Sequence, residues 1–407
     1  MAAKMVAMRS PKVKRMIQGQ GETLERIREW RAANDGARFD VWFHAASLGE
    51  FEQARPLIEK LRREQPERRI LLSFFSPSGY EVRKNYDQVD LVVYLPFDRP
   101  HKVANFLEAA DPGMAVFVKY EFWGNFLQQL QRRGVPTYII DSIFRPKQRF
   151  FKPYGGVFRG MLRCFTRLYV QDENSRQLLA GVGVDNVTVA GDTRFDRVTD
   201  VMRTRVDFPM IEKWLATKNS KVLIVGSSWE KDEDCYIPYL NAHPKLRAII
   251  APHEFNAERL ARLQGLLKHR SMLLSEAEHR RSIPANTQVL IIDSFGKLSS
   301  LYRYGNVAII GGGFGAGIHN INEAAVYGIP VIFGPNHFKF KEAADLIEAG
   351  GGFEYDSQEK LKEILDGFFG ANGDQRRKQA GKIAGEYIQT HLGATEQIYN
   401  DLFTNEK

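Results

Sequence analysis

The sequence predicts an α/β protein made of two doubly wound domains, each with a mostly parallel sheet covered by helices on both faces. Its length of 407 residues exceeds what one hydrophobic core usually holds, so two domains of roughly 200 residues are expected. Short, almost continuous apolar runs alternate with longer helical patterns, as is typical of strands buried on both faces. This rhythm lapses into charged, irregular sequence around 197–210, where we place the domain boundary.

The predicted strands form two groups along the chain. Those of the first half lie at 40–44, 69–75, 91–95, 114–118, 137–141, 168–171 and 187–191. Those of the second half lie at 221–227, 247–252, 289–293, 306–313 and 330–334. We therefore predict a basic N-terminal segment at 1–38, an N-terminal domain at 39–204 and a C-terminal domain at 205–407. Ligands of such sheets bind beyond the carboxyl ends of the strands, and two such domains predict a cleft between them.

The composition narrows the class of partner without choosing one. A net charge of +8 suggests nucleic acid, a phosphorylated ligand or an anionic membrane face. The two cysteines, Cys164 and Cys235, lack zinc-site spacing and argue against a disulfide scaffold. No apolar run is long enough to span a bilayer. The basic cluster at 9–15 is either a solvated tail or a segment attracted to acidic lipid headgroups.

The strongest chemical signal is the glycine-rich turn in 307-VAIIGGGFGAGIHNINEAA-325, which follows a predicted strand. Glycine allows close backbone approach, and a helix N-terminus beginning at 320 would offer free N–H groups, so the pair predicts a phosphate site. A Walker A loop is excluded because no Gly-Lys-Ser/Thr follows. A dinucleotide fingerprint is matched only loosely, as Gly311-x-Gly313-x-x-Ala316, without an acid about twenty residues on.

Asn320 and Glu323 have the spacing of a capping box, with Asn320 as the N-cap of the helix. Glu323 could also bind ribose hydroxyls while the N–H groups hold a phosphate, and this combination suggests a nucleotide-sugar site. Other residues that follow predicted strands point to the same edge of the sheet, namely Pro252, His253, Gly296 and Lys297. As alternatives, His253 could cap the next helix and Lys297 could be a solvated lysine.

In the first half, Glu50 lies where a helix begins after the strand 40–44. It is either a first-turn acid that interacts favourably with the helix dipole or a carboxylate base at the cleft.

Seven motifs then follow one another in order along the chain. They are HAASLGE (44–50), FSPSGYE (75–81), YLPFD (94–98), EFWGN (121–125), GDTRFD (191–196), GIHNINEAA (317–325) and IPVIFGP (329–335). This series, within 39–395, resembles the 3-deoxy-D-manno-oct-2-ulosonic acid (Kdo) transferase family of lipopolysaccharide biosynthesis. The resemblance implies a GT-B glycosyltransferase, with two Rossmann-like domains facing a cleft.

The resemblance also implies the reaction and its place in the cell. Family members transfer Kdo from CMP-Kdo to a lipid A precursor with inversion of the anomeric centre, without a metal or other cofactor. The acceptor belongs to the N-terminal domain and CMP to the C-terminal domain. We therefore expect work at the cytoplasmic face of the bacterial inner membrane, and no nucleic-acid partner.

The resemblance assigns roles to residues of this chain. Glu50 is implied as the general base, and Arg194 stands where relatives often carry a lysine that stabilises the transition state. The implied CMP contacts are Pro252, His253, Phe295, Gly296, Lys297, Asn320, Ile321, Asn322 and Glu323.

Two departures from the family pattern affect these expectations. Lys119 stands where many relatives carry an acid; either Glu121 takes over its role or a more cationic site suits a phosphorylated acceptor. We include Lys119 and Glu121 among the catalytic candidates. Relatives usually carry an apolar anchor before the basic segment, whereas this chain starts almost directly at that segment. We therefore expect either a truncated form or one with a reassigned start. It would bind the inner membrane surface peripherally, or through an anchor that this form lacks.

The segment 143–165 is rich in both aromatic and basic residues. We interpret it as an interfacial or acyl-chain surface with cations for lipid phosphates. The alternatives are a loop and helix whose aromatics pack inward, or a site for single-stranded nucleic acid.

Two rival functions also stay open. One is a related GT-B enzyme with another nucleotide sugar, including a non-hydrolysing sugar-nucleotide epimerase. The other is a catalytically silent scaffold that binds nucleotide or lipid.

Overall fold

A computed structural model describes residues 11–204, 206–217 and 221–404, with side chains from residue 13 onward. The predicted domain boundary at 205 and part of the basic cluster at 9–15 lie outside these residues. The chain divides into two compact units, which we describe separately. The first comprises 1–197 together with 392–407, and the second comprises 198–391.

Each unit contains one seven-stranded sheet within the described residues. The strands of the first are β1 (Val41–Ala45), β2 (Ile70–Phe74), β3 (Leu91–Tyr94), β4 (Met114–Val118), β5 (Thr137–Ser142), β6 (Arg167–Val170) and β7 (Val187–Val189). The strands of the second are β8 (Val222–Ser228), β9 (Arg247–Pro252), β10 (Ser271–Leu273), β11 (Val289–Ile291), β12 (Val307–Ile310), β13 (Val331–Phe333) and β14 (Gly352–Glu354).

The helices of the described residues connect these strands. They are α1 (Pro11–Ala33), α2 (Leu48–Glu64), α3 (Pro77–Arg83), α4 (Pro100–Ala110), α5 (Gly124–Arg132), α6 (Gly156–Leu162), α7 (Glu173–Ala180), α8 (Thr193–Arg203), α9 (Pro209–Ala216), α10 (Glu230–Ala242), α11 (Ala257–Leu266), α12 (Leu274–Arg280), α13 (Leu298–Leu301), α14 (Asn322–Ala325), α15 (Lys341–Ala349), α16 (Gln358–Phe369), α17 (Gly373–Thr390) and α18 (Ala394–Tyr399). None of them has both the length and the apolar character needed to cross a bilayer.

Both sheets are parallel and change direction of winding at one point. The first has the order β3-β2-β1-β4-β5-β6-β7, and the order reverses between β1 and β4. The second has the order β10-β11-β9-β8-β12-β13-β14 and reverses between β8 and β12. Such switch points open a crevice at the carboxyl ends of the strands. The prediction of two doubly wound α/β domains is confirmed.

The strands are almost continuously hydrophobic because, as predicted, both faces of the sheet are buried. In β1, Val41 and Phe43 belong to one buried cluster, whereas Trp42 belongs to another cluster. Successive side chains of a strand point to opposite faces, so both faces of this sheet are covered. The pattern missed two edge strands, β10 and β14, because each has only one buried residue and so lacks the continuous apolar run of a strand buried on both faces.

The end of the chain corrects the predicted domain limits. Residues 392–407 belong to the first unit, and the boundary lies inside α8 at 197/198. Ile398 and Leu402 are buried in a core cluster of the first sheet. The carboxylate of Asp196 accepts hydrogen bonds of 2.7 Å from the N–H groups of Gly393 and Thr395. Apolar burial and these hydrogen bonds hold the C-terminal segment on the first unit, which also contains the N-terminal part of the chain.

This assignment predicts a reciprocal pair of effects. Ile398→Ala removes a fully buried side chain from the first unit and should cost about 2–5 kcal/mol of unfolding free energy. Hydrogen exchange should quicken in β1 and β4 while β8 and β12 stay protected. The matched control, Ile388→Ala in α17, should quicken exchange in β8 and β12 instead. Faster exchange of the second sheet in the Ile398 variant would contradict the division.

The N-terminal segment is also more closely integrated than predicted. Most of 1–38 forms α1, whose Ile27 is fully buried in the first core and whose Thr23 hydroxyl donates to the Tyr94 carbonyl at 2.8 Å. The prediction of a segment separate from the N-terminal domain is therefore wrong for α1, which is part of the first unit, whereas its place near the membrane stays a prediction. Lys14 and Arg15 remain exposed on this helix.

Candidate active site

The carboxyl ends of β1 and β4, at the first switch point, position the catalytic candidates of the first unit. After β1 the chain turns at Ser47, the N-cap of α2, and Glu50 occupies the first turn of that helix. The Ser47 hydroxyl donates to the Glu50 carboxylate. Glu50 is partly buried, so its carboxylate is oriented while remaining accessible.

Tyr120, two residues after the end of β4, is affected by several charged residues of this unit. Burial raises the pKa of its phenol, and Arg145, Glu50 and Arg194 all act electrostatically on the same group. Glu50 and Arg194, from motifs far apart in sequence, are thus both near enough to act on one phenol. Sequence reasoning did not single out Tyr120, although it lies between Lys119 and Glu121.

Arg194 forms an ion pair with Asp192, an acid of the same motif. Its Nε lies 3.1 and 3.0 Å from the two carboxylate oxygens of Asp192, and its Nη2 lies 2.6 Å from Oδ2. Burial opposes ionisation of Asp192, but Arg194 outweighs it and Lys119 adds to the effect, which holds the pKa of this carboxyl below its usual range. Because Lys119 replaces the acid that many relatives carry, the sequence left Lys119 and Arg194 without an obvious acidic partner. Asp192 interacts with both of these cations.

Glu121 occupies a different network. Its Oε2 accepts from Trp123 Nε1 at 2.6 Å and lies 3.1 Å from Nε2 of His44, which is fully buried in β1. His44 Nδ1 lies 2.9 Å from the Ser73 hydroxyl in β2. Lys119 follows β4 with a left-handed φ of +66°. The structure thus places both candidates beside the switch point, with Asp192 and not Glu121 as the acid bound to Arg194.

In the second unit, a cavity of about 660 Å³ lies at the carboxyl ends of β8 and β12. Its walls are the start of α10 and the glycine-rich turn. The Asp232 carboxylate joins the two by accepting from the N–H groups of Trp229 at 2.9 Å and Gly312 at 3.0 Å. A larger cavity, of about 760 Å³, lies at the amino ends of β8 and β9, away from the edge that ligands use.

The glycines of the turn allow contacts from backbone to backbone. A Cβ on Gly311 would lie 2.3 Å from the Ser227 carbonyl oxygen, and one on Gly313 would lie 2.5 Å from Gly334 Cα. Gly312 has a left-handed φ of +93°. These contacts explain why the sequence places glycines here, and they leave the cavity lined partly by bare backbone.

Three aromatic rings stack beside this turn. His253 packs on Trp229 at a ring distance of 4.4 Å and lies 4.6 Å from His319. Trp229 Nε1 donates to His319 Nε2 at 3.3 Å. Burial and the neighbouring His253 lower the pKa of His319 to about 4, so His319 is neutral at pH 7. The alternative that His253 caps α11 is wrong, because Asn256 is the N-cap.

The predicted capping box at 320–323 is also wrong. Only one helical turn forms, α14, and its N-cap is Ile321. Asn320 Oδ1 instead accepts from the Asn322 N–H at 3.1 Å, and Glu323 accepts from the Ser299 hydroxyl at 2.6 Å. The side chains of Ile321 and Asn322 are buried, and their predicted contacts with CMP stay a prediction. A four-residue helix has too few aligned peptides for the strong dipole that the phosphate argument assumed.

The remaining donor candidates lie beyond β11. Phe295 is 84% exposed and packs at 4.5 Å against Phe255. Gly296 has a φ of +78°, and Lys297 forms an ion pair of 2.5 Å with Glu278. Lys297 is therefore not the freely solvated lysine of the alternative reading.

The aromatic segment 143–165 corrects another interpretation. Phe144 and Phe150 are buried and pack around Phe122 at ring distances of 5.9 and 4.8 Å. The proposed acyl-chain surface is wrong for these two, and the alternative of inward packing holds. Tyr154 and Val157 are the segment's large exposed apolar side chains, at 72% and 74%.

Comparison with known proteins agrees with the resemblance seen in the motifs. The model for 3-deoxy-D-manno-octulosonic-acid transferase (kdotransferase) matches residues 18–197. A 3-deoxy-D-manno-octulosonic acid transferase of Haemophilus influenzae is 26% identical over 373 residues, covering 88% of this chain and 85% of the relative. One of Bordetella pertussis is 26% identical and covers 89% and 86%. Over most of its length the chain is therefore similar to Kdo transferases, as its motif series predicted. The similarity indicates a glycosyltransferase.

Solved structures agree on the fold of this chain. A UDP-N-acetylglucosamine 2-epimerase superposes with a TM-score of 0.57 at 11% identity, covering 90% of this chain and 96% of the other. Anabaena Alr3699/HepE in complex with UDP gives 0.53 at 13% identity, covering 90% and 100%. At such identities the likeness concerns the fold alone, and it confirms the GT-B class of two Rossmann-like domains.

Proposed function

We propose that this enzyme transfers Kdo from CMP-Kdo to a hydroxyl group of a lipid A precursor, with inversion, in lipopolysaccharide core biosynthesis. The observation that carries the proposal is that Glu50 and Arg194 both act electrostatically on Tyr120, in a chain similar to Kdo transferases. It joins a candidate base and a candidate anion-stabilising group that come from two separate motifs.

Glu50 acts as the general base of this reaction. It takes the proton of the acceptor hydroxyl while the hydroxyl oxygen attacks the anomeric carbon of Kdo and the bond to the CMP phosphate breaks. Attack from the face opposite the leaving group inverts the centre. The hydrogen bond from Ser47 supports this role because it orients the carboxylate without burying it.

Arg194 stabilises the negative charge that develops as CMP leaves. Its guanidinium is pre-oriented by the paired contacts with Asp192, and it is 20% exposed. Lys119 raises the positive charge near the same acid, which suits a phosphorylated acceptor. Glu121, fixed by His44 and Trp123, orients the acceptor side of the site.

The second unit holds the CMP part of the donor. The cavity beside the glycine-rich turn presents backbone of that turn to the phosphate. Pro252, at the end of β9, and His253, which stacks on the cavity residue Trp229, lie next to it. Asn320 and Glu323 serve the ribose, whereas Ile321 and Asn322 contribute backbone only. Phe295, Gly296 and Lys297 complete the donor contacts.

The acceptor is amphiphilic, so we place the enzyme at the cytoplasmic face of the bacterial inner membrane. Exposed cations on α1 and on the 143–165 segment support attraction to anionic headgroups, among them Lys14, Arg15, Arg145 and Lys147.

A radiolabel transfer assay tests this function. CMP-Kdo is generated in situ and supplied with a tetraacylated, phosphorylated lipid A precursor, and labelled lipid is the expected product. UDP-N-acetylglucosamine is offered in parallel. Turnover of the UDP-sugar without labelled lipid would overturn the proposal in favour of another nucleotide-sugar enzyme, and no turnover of either by the folded chain would favour a silent scaffold.

A further inference from the structure

A second acid, Asp141, lies fully buried behind the Asp192–Arg194 pair. It belongs to the end of β5, where its backbone takes a left-handed φ of +57°. Its Oδ1 accepts from the Thr193 N–H at 2.9 Å, and its Oδ2 lies 2.9 Å from the Thr193 hydroxyl oxygen. Thr193 is the residue between Asp192 and Arg194, so Asp141 contacts the middle of the GDTRFD motif.

Counting protons fixes the direction of these bonds. The Thr193 hydroxyl has one hydrogen but two close oxygen neighbours, the Gln53 carbonyl at 2.6 Å and Asp141 Oδ2 at 2.9 Å. A backbone carbonyl can only accept, so the shorter contact takes the hydroxyl hydrogen. The contact between Asp141 and the hydroxyl then needs a hydrogen on Asp141. A charged carboxylate there would face a lone pair.

We propose that Asp141 is a protonated, neutral carboxylic acid at neutral pH and serves as a positioning residue that holds Thr193, and with it the Asp192–Arg194 pair.

The surroundings of Asp141 agree with this assignment. Burial, and next the charge of Asp192, raise the pKa of Asp141 to about 8. The charged groups that act on it are Asp192 and Arg194, while Thr193 and Gln53 around it are uncharged. Asp192 takes the negative charge because Arg194 and Lys119 face it, and Asp141 keeps the proton.

Loss of this proton has two consequences. The unfolded chain loses it at about pH 4. Since the native state holds it to about pH 8, the stability contributed by Asp141 is complete at low pH and falls as the pH rises through this window. Above pH 8 the Thr193 bond is lost and a second carboxylate competes for Arg194. This expectation rests on the proposed function: Kdo transfer should decline above pH 8.

Asp141→Asn tests the proposal, because an amide reproduces both bonds without titrating. Its oxygen accepts from the Thr193 N–H, and its NH₂ group donates to the hydroxyl oxygen. We expect the variant to match wild type in melting temperature at pH 4, to exceed it at pH 8, and to keep transfer activity above pH 8. The infrared band of a protonated, buried carboxyl group should be present in wild type at pH 7 and absent from the variant.

Asp192→Asn is the matched control in the same cluster. It should lower transfer at every pH, because Arg194 loses its paired contacts with Asp192, and the infrared band should disappear at a lower pH than in wild type, because the charge of Asp192 is one of the causes that raise the pKa of Asp141. A D141N chain that does not fold, or that is less stable than wild type at pH 8, would overturn the proposal, as would absence of the band from wild type. A wild-type band without any Kdo transfer would support the assignment of the proton and count against the proposed function alone.

Discussion

Glu50→Gln should lower kcat for Kdo transfer by roughly 10²–10⁴-fold, the usual contribution of a general base. The amide keeps the size and planarity of the side chain and can still accept from Ser47, so the start of α2 should be unchanged. What it lacks is a site that binds the proton of the acceptor hydroxyl. KM for both substrates should therefore change little, and the loss should appear in single-turnover rates with radiolabelled donor.

Glu52→Gln is the matched control on the same helix. Glu52 forms ion pairs with Arg83 at 2.9 Å and Arg55 at 3.4 Å, and its side chain is 35% exposed. Such surface pairs contribute about 0–1 kcal/mol, so transfer should stay near the wild-type rate. Transfer at the wild-type rate by folded Glu50→Gln would remove Glu50 as the base and leave it as a first-turn acid of α2.

Gly313→Ala should disrupt the donor cavity of the second unit. The new methyl group would lie 2.5–2.7 Å from the backbone atoms of Gly334, just after β13, where no flexible side chain can move aside. Overpacking costs about 1–3 kcal/mol, occasionally more, and here it pushes the glycine-rich turn into the cavity. CMP binding measured by calorimetry should weaken by about tenfold or more.

The same turn contains its own control. A Cβ on Gly315 would have the Gly312 carbonyl oxygen, at 3.6 Å, as its nearest neighbour, an ordinary contact. Gly315→Ala should therefore bind CMP almost as well as wild type and melt at a similar temperature. If both variants bound CMP normally, the donor phosphate would not lie at this turn. If both failed equally, the close approach to Gly334 would not be the reason for the glycines.

Prediction of the fold succeeded where apolar residues follow one another along the chain. Strands such as β1 and β4, buried on both faces, produce apolar runs that need no knowledge of the partner strand. The edge strands β10 and β14 have only one buried residue each and so produce no such run. The return of α18 to the first unit could not be seen either, because its apolar face does not specify which core it joins.

Prediction of the site had a similar limit. The motifs led to Glu50 and Arg194, because each follows a strand and belongs to a recognisable series. Asp192 lies two residues before Arg194 in the same motif, so a closer reading of charges could have paired them. Tyr120 carried no signal of its own, because its importance comes only from the charges around it.

The sequence by itself determined the class of each domain, the order of the motifs and the resemblance to Kdo transferases, since alternation and motif series are properties of the chain alone. Tertiary structure decided which acid binds Arg194, where the chain terminus packs, and which carboxyl group keeps its proton. Asp141 and Thr193 are far apart in sequence, and only the parallel sheet brings them to 2.9 Å in a buried setting. Burial and proximity determine protonation, and neither is a property of a residue by itself.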